Sequence, residues 1–309
     1  MKYFLFQLFF ICKIFVIKTE EDIFDKFKNL RFCGADLVKN GKIKYHNNIK
    51  PRNNTKRHLS TVYRPIRIYL ETTYFEQQAI NSPFFKEKLP LLKEALNRAL
   101  NGIKSLIQVE EQDENLFSDA IEYFRNNSVN IWNPIFDKGE DIRSDFLLVV
   151  RFANMNEFPN GVLAAAVPIK LDSYTNRPTI GLLIVATETS FYSYNRVMEY
   201  FSEVFLHELT HALGFLEDMF PYYLGGRDKT IGSKVIREIS RPIMITPKVI
   251  EHAKKYFNCN NIEGVELEDQ GGRGSSVSHW EQRILLGEYM GAVIYQEEMV
   301  TLAALEDSG

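Results

Sequence analysis

The sequence predicts an α+β fold, in which a twisted mixed sheet carries one long helix and a second, shorter helix, followed by a smaller C-terminal subdomain. Two observations predict it. Apolar residues recur at helical spacing over residues 83–109, which indicates a long amphipathic helix. Residues 145–186 contain three short apolar runs typical of buried strands, and another helical pattern follows them. This order of elements is typical of an α+β domain.

Length and composition are those of an ordinary globular protein. The chain has 309 residues, of which 45% are hydrophobic and 25% are charged, so one large or two modest domains are expected. The formal net charge of −3 gives no bulk attraction to nucleic acid, and no nucleic-acid partner is expected. Three cysteines are too few for a disulfide-rich scaffold. We expect a monomer.

The first 18 residues have the layout of a secretory signal peptide. Lys2 precedes an almost wholly apolar run, which Lys13 interrupts and which is short for a bilayer-spanning helix. An uncleaved membrane anchor and a buried N-terminal segment are the alternatives. We therefore expect a secreted, lumenal or membrane-associated protein. Residues 19–60 are polar and basic with little apolar periodicity, as in a propeptide or a solvated N-terminal arm.

Two folded segments are expected after this region. The first, residues 61–214, begins with a strand over 65–71, where apolar and polar residues alternate. Its other strands are predicted at 145–152, 161–167 and 179–186. The second segment, residues 215–309, contains a helix from Pro247, which Thr246 caps, to about Phe257, then a glycine-rich stretch at 271–276 and a last helix over 299–306.

The residues that indicate chemistry gather at 207–215, which read His-Glu-Leu-Thr-His-Ala-Leu-Gly-Phe. Helical positions four apart lie on one face, so His207 and His211 can both bind one zinc ion. Glu208 is rotated by about 100° from His207, which places it to act as general base on a water held by the metal. Gly214 provides the helix stop signal. The pattern predicts a hydrolytic site with one Zn²⁺.

Zinc in such a site needs a third protein ligand and one open position for water. In the extended pattern of the metzincins, the third His lies six residues after the second, but Glu217 occupies that position. Two alternatives remain. A Glu further downstream could complete a His-His-Glu site, or a long insertion could deliver His279, which follows the glycine-rich stretch and precedes Trp280.

Several segments together resemble leishmanolysin and its invadolysin relatives: residues 207–215, Gly264-Val265-Glu266-Leu267-Glu268-Asp269-Gln270-Gly271-Gly272, Ser278-His279-Trp280-Glu281 and Glu288-Tyr289-Met290. The resemblance covers roughly residues 60–309. It implies a metzincin-like zincin fold and a zinc endopeptidase that acts on proteins or peptides. By the same resemblance, the zinc ligands are His207, His211 and His279, Glu208 is the general base, and Met290 lies in the Met-turn beneath the metal.

The resemblance also implies a proenzyme. Cys33, in Cys33-Gly34-Ala35-Asp36, is similar to the propeptide cysteine whose thiolate takes the open zinc position, and an incidental cysteine is the alternative. Family members carry a cysteine-rich C-terminal domain that this sequence lacks, so a shortened form is expected. The rival functional interpretation is a zinc-binding adhesion or interaction module of the same fold without catalytic activity. An edge strand over 161–167 is expected to align an extended substrate.

Overall fold

The computed structural model describes residues 62–110, 143–154, 157–158, 162–172, 175–188, 192, 197–270, 276–285, 288–291 and 299–309. The predicted signal peptide, the predicted propeptide and Cys33 lie outside these residues. None of the helices in the described part combines the length and the apolar character that a membrane crossing requires.

A four-stranded mixed sheet forms the centre of the first half of the chain. Its strands, in the order β2-β4-β6-β5, are β2 (Ile68–Glu71), β4 (Phe146–Phe152), β6 (Pro178–Val185) and β5 (Ala164–Leu171). The pairs β2–β4 and β4–β6 are parallel, whereas β5 runs antiparallel to β6 at the edge. A separate antiparallel pair joins β1 (Tyr63–Pro65) to β3 (Gln108–Glu110). The predicted mixed sheet is therefore present.

Three helices pack with this sheet: α1 (Thr73–Ile80), α2 (Pro83–Leu106) and α3 (Val197–Ala212). Helix α2 begins at Pro83 because the Ser82 hydroxyl accepts the N–H of Phe85 and proline fits the first helical position. Its apolar stripe packs against α3, and α3 in turn packs on β5 and β6. Alternate residues of β4 enter two cores, since Leu148 faces these helices and Leu147 belongs to a second apolar cluster.

Two strand predictions need correction. The single strand predicted over 65–71 is wrong, because the chain divides between β1 and β2, which belong to different sheets. The break is fixed by Arg67, whose backbone N–H and guanidinium both donate to the fully buried carboxylate of Asp145. The strand predicted over 161–167 starts at Ala164 and continues to Leu171.

The second half of the chain builds its own apolar cluster. Its elements are a 3₁₀ turn (Phe220–Tyr222), α4 (Arg227–Thr230), β7 (Ile231–Ile236), β8 (Ile239–Met244), α5 (Pro247–Tyr256), β9 (Val265–Glu266) and α6 (Met299–Ser308). The helix predicted at 247–257 is present as α5, and Thr246 occupies the N-cap position, but its side chain makes no capping hydrogen bond. The hairpin β7–β8 was not predicted, because its turn places Arg237 and Glu238 at positive φ without the usual Asn or Gly. Phe215, Trp280 and Met290 lie at the centre of this cluster.

Candidate metal centre

Helix α3 carries the two histidines deep into the protein. Val204 and Phe205 pack into the core that α3 shares with α2, which fixes the rotation of the helix about its axis. His207 is 3% exposed and His211 is fully buried. The helix can lie close to the sheet because β6 has Gly181 beneath it, where a Cβ would meet the Phe146 ring at 2.5 Å and the Ala212 Cβ at 3.1 Å.

The end of α3 also shapes the site. Gly214 has φ of 122°, a conformation that glycine adopts readily, and the N–H of Phe215 donates back to Thr210 O at 3.1 Å. This turn brings the carbonyl oxygen of Phe215 to 2.6 Å from His211 Nδ1. The predicted glycine stop is therefore present, and it supplies a hydrogen-bond acceptor to one of the histidines.

The structure brings His279 to the histidine pair. Its Nε2 lies 3.2 Å from His207 Nε2 and 3.2 Å from His211 Nε2, and His279 is 1% exposed. Three nitrogens bound tetrahedrally to zinc at about 2.0–2.1 Å would lie about 3.3 Å apart. The spacing of the imidazoles therefore matches that of three ligands around a single ion.

Hydrogen bonds fix the tautomers of two of these rings. His207 Nδ1 donates to Tyr289 O at 2.7 Å and His211 Nδ1 donates to Phe215 O, since a carbonyl oxygen can only accept. Both Nε2 atoms therefore present lone pairs towards His279. Burial lowers the pKa of His207 to about 4, and burial together with the neighbouring imidazoles lowers the pKa of His211. Neutral imidazoles with converging lone pairs fit zinc.

His279 is delivered by a short strand-like segment. The N–H of Glu268 donates to His279 O at 2.9 Å, and the N–H of Trp280 donates to Met290 O at 3.0 Å. The Trp280 ring is fully buried, and its Nε1–H donates to the Thr301 hydroxyl at 2.8 Å. Backbone hydrogen bonds to Glu268 and Met290 thus fix the segment, and the buried Trp280 ring anchors it in the apolar cluster.

Glu208 is fully buried, directly follows His207 in sequence and points to the sheet. Its Oε2 accepts the backbone N–H of Ala166 at 2.8 Å. Ala166 belongs to the edge strand β5. The candidate general base therefore joins the helix of His207 and His211 to the edge strand β5.

The remaining predicted residues are placed as follows. Met290 is fully buried in the cluster that contains Trp280, directly after Tyr289. Glu217 is not part of the His cluster; its backbone N–H donates to Ser278 Oγ at 3.2 Å. Among the described residues, the group that contains both helix histidines and could hold an ion has His279 as its third member and no carboxylate.

Sequence reasoning missed the backbone groups of the site. The carbonyl oxygens of Tyr289 and Phe215 and the N–H of Ala166 orient His207, His211 and Glu208. Every residue type has these groups, so the sequence carries no signal for them. Only the tertiary fold shows which ones face the site.

The fold and the site together define a class of protein in which one helix carries two histidines one turn apart, and these converge with a third histidine at a candidate metal site. The family model for leishmanolysin matches residues 91–309, well over half of the chain. The protein belongs to the leishmanolysin family, whose members are zinc-dependent metallopeptidases.

Curated relatives carry the same family name. The chain is 33% identical over 141 residues to the leishmanolysin-like peptidase of Drosophila melanogaster, a match that covers 33% of this chain and 21% of the relative. It is 30% identical over 214 residues to the leishmanolysin-like peptidase of Caenorhabditis briggsae, covering 56% and 32%. It is 30% identical over 172 residues to the leishmanolysin homolog of Crithidia fasciculata, covering 54% and 24%. The chain thus spans between a fifth and a third of the length of these relatives.

Proposed function

We propose that the protein is a zinc-dependent endopeptidase that cleaves proteins or peptides. His207, His211 and His279 would hold one zinc ion, and Glu208 would act as general base. The observation that carries the proposal is the convergence of three buried Nε2 atoms, with two of the rings held in the metal-binding tautomer by carbonyl oxygens. When bound, zinc supplies a Lewis acid that polarises a peptide carbonyl and lowers the pKa of a water molecule.

The chain's own residues account for the proton transfers. Glu208 follows His207 on the same helix, and in this proposal its carboxylate would take a proton from the attacking water and pass it to the leaving amine. The hydrogen bond from Ala166 occupies one side of this carboxylate and restricts its rotation. Complete burial excludes bulk water from the base, which strengthens its electrostatic interactions in the site.

Among the described residues, β5 pairs with β6 and with no other strand, and its opposite edge is proposed to align the substrate in an extended conformation. The residue before β5, Leu163, accepts the N–H of Ala186, the residue after β6. The backbone groups of Leu163 therefore face β6. Backbone groups alternate along a strand, and the N–H of Ala166 accordingly faces Glu208 rather than β6. The backbone of Ala164 faces the same open edge. A substrate strand could pair there by β-augmentation, next to Glu208.

Secretion and zymogen control are further parts of the proposal, and they rest on the sequence alone. Residues 1–18 would direct secretion or membrane association, and the Cys33 thiolate would occupy the open metal position until the propeptide is removed. Replacing Cys33 with Ala should then shorten the activation lag in a peptidase assay. An unchanged lag would indicate an incidental cysteine.

A direct experiment separates the endopeptidase from an inactive module. The purified protein is incubated with a denatured protein substrate, with and without a chelator, and its zinc content is measured. Cleavage that the chelator abolishes supports the proposal. One bound zinc without cleavage would instead support a zinc-binding interaction module, and the absence of bound zinc would overturn both.

A further inference from the structure

A largely buried cluster of charged side chains includes Glu281, on the segment that carries His279. At its centre is Arg241 of β8, whose side chain is only 13% exposed. Its Nη1 lies 2.7 Å from Asp269 Oδ2 and 3.7 Å from Glu281 Oε2, and its Nε lies 4.0 Å from Glu266 Oε2. One guanidinium therefore contacts three carboxylates that are distant from it in sequence.

These carboxylates lie on successive strands. Strand β8 pairs with β9, where Ile243 lies opposite Glu266, and the N–H of Leu267 donates to Pro242 O at 2.9 Å. The next strand-like segment, which contains His279, is held by the N–H of Glu281, which donates to Glu266 O at 3.0 Å. Arg241 therefore reaches across two strand junctions, from the hairpin to the segment that holds the third imidazole.

His279 and Glu281 lie on the same face of this segment. Trp280 between them is fully buried in the apolar cluster, and Leu267, its bridge partner, is buried in the same cluster. Since side chains alternate between faces along a strand, His279 and Glu281 face the side opposite Trp280, where Arg241 lies. Fixing the Glu281 side chain therefore restrains the position of His279, two residues away.

The positive charge of Arg241 offsets the repulsion among the neighbouring carboxylates. One carboxylate oxygen from each of Glu268, Asp269 and Glu281 lies within 4.8 Å of the corresponding oxygens of the other two. Like charges at this separation repel, and burial strengthens the repulsion. Arg283 also contacts Glu281, at 3.8 Å, and donates to Glu266 Oε2 at 2.5 Å, but its side chain is 46% exposed. Arg241 is the more deeply buried of the two cations.

We infer that Arg241 is a positioning residue for His279, the third ligand of the metal site. It acts through Glu281 and Asp269 and holds the imidazole at the distance from His207 and His211 that a shared ion requires. The inference rests on the proposed function, in which His279 is a ligand. Changes in residues that orient metal ligands typically cost about 10–100-fold in metal affinity.

The test compares R241Q and R241K with the matched control R283Q, which removes the more exposed cation from two of the same carboxylates, Glu266 and Glu281. Zinc affinity is measured by competition with a chromophoric chelator, and the visible absorption spectrum of the cobalt-substituted protein reports the ligand geometry. R241Q should weaken zinc binding by about 10–100-fold and alter the cobalt spectrum. R241K, which keeps the charge without the guanidinium fork, should recover part of the loss. R283Q should stay within about threefold of the wild type, since exposed ion pairs contribute little.

Unfolding of the metal-free protein is followed separately, so that a general loss of stability is not taken for misplacement of the ligand. If R241Q does not fold, R241K decides the question. Wild-type affinity and an unchanged cobalt spectrum in the folded Arg241 variants would overturn the inference, as would an equal loss in R283Q. The wild type and His279→Ala are measured first. Tight binding of zinc by His279→Ala would mean that the proposed ligand set fails, whereas loss of binding in His279→Ala with normal binding in R241Q rejects the role of Arg241 alone.

Discussion

The backbone N–H of Ala166 donates a hydrogen bond to the Glu208 carboxylate over 2.8 Å, which joins the edge strand β5 to helix α3, the helix of His207 and His211. Hydrogen bonds to ionised acceptors are among the stronger ones in proteins. The bond therefore fixes the candidate base relative to the strand that is proposed to hold the substrate. This single contact couples the proposed substrate strand β5 to the candidate base Glu208.

Glu208→Gln should abolish most activity while leaving the fold intact. The amide keeps an oxygen that can accept the N–H of Ala166, but it cannot take up a proton at neutral pH. We expect kcat to fall by about 10²–10⁴-fold, with unchanged zinc content and unchanged Tm. Glu199→Gln, in the first turn of the same helix, is the control and should retain full activity. Near-normal kcat in Glu208→Gln would exclude Glu208 as the base.

His279→Ala should lose stoichiometric zinc. The imidazole Nε2 lies 3.2 Å from each of the other two, and two ligands on one helix turn bind zinc far more weakly than three. Metal content after dialysis is the measurement. His252→Ala on α5, whose ring is not part of the cluster, serves as the control and should keep one zinc ion. Retention of zinc by His279→Ala would favour a downstream Glu as third ligand.

Removal of the metal should lower the thermal stability of the protein. His279 Nε2 lies 3.2 Å from the Nε2 atoms of His207 and His211, so an ion bound to all three buried imidazoles would link helix α3 to the segment of His279. A ligand that binds only the folded state adds about 4 kcal/mol at a free concentration 1,000 times its Kd. Tm should fall with a chelator and return when zinc is added back, whereas Mg²⁺ should not restore it, since magnesium prefers oxygen ligands. A Tm that does not respond to the chelator would contradict the assignment.

The sequence predicted those features that depend on local spacing. His207 and His211 lie one helix turn apart, and Gly214 ends their helix, so both follow from the pattern within nine residues. His279 lies 68 positions after His211, and local reasoning left it as one of two alternatives until the resemblance was considered. The structure resolves its location, because pairing with residues 266–268 brings it to the helix.

The features that were missed depend on tertiary structure. The β7–β8 hairpin has a turn formed by Arg237 and Glu238, and neither residue type signals a turn. The break between β1 and β2 depends on Arg67 reaching Asp145, 78 positions away. No periodicity in either segment could show these contacts.

Gly181→Ala should destabilise the protein, because the new methyl group would lie between the sheet and α3. Its Cβ would be 2.5 Å from the Phe146 ring and 3.1 Å from the Ala212 Cβ, so the helix end has to shift. Overpacking of this kind costs about 1–3 kcal/mol. Urea unfolding measures the change in free energy. Gly102→Ala in α2 is the control, since its nearest neighbour would lie 3.5 Å away and alanine in a helix interior stabilises by about 0.5–1 kcal/mol. Equal stability of the two variants would show that the close approach is unimportant.

Ala164→Pro should weaken substrate binding without breaking the sheet. In the first part of β5, Ala164 and Ala166 direct their backbone N–H groups away from β6, and the strand already contains Pro168 just before its register shift. Proline is tolerated on an edge strand where the missing N–H faces outward. Ala164→Pro therefore removes an N–H donor that a paired substrate would use. Loss of one hydrogen bond costs about 1.4 kcal/mol, so kcat/KM for a long peptide should fall by about tenfold.

The control for this variant is Ala165→Pro, one position along the strand. Ala165 lies opposite Ile184, and its N–H faces β6, so proline there should break a sheet hydrogen bond and lower Tm. Ala164→Pro should instead keep wild-type zinc content and Tm. The loss should be larger for long peptides than for short ones, because only long peptides extend along the strand. If kcat/KM of Ala164→Pro equals that of the wild type for every peptide length, the substrate does not pair with β5.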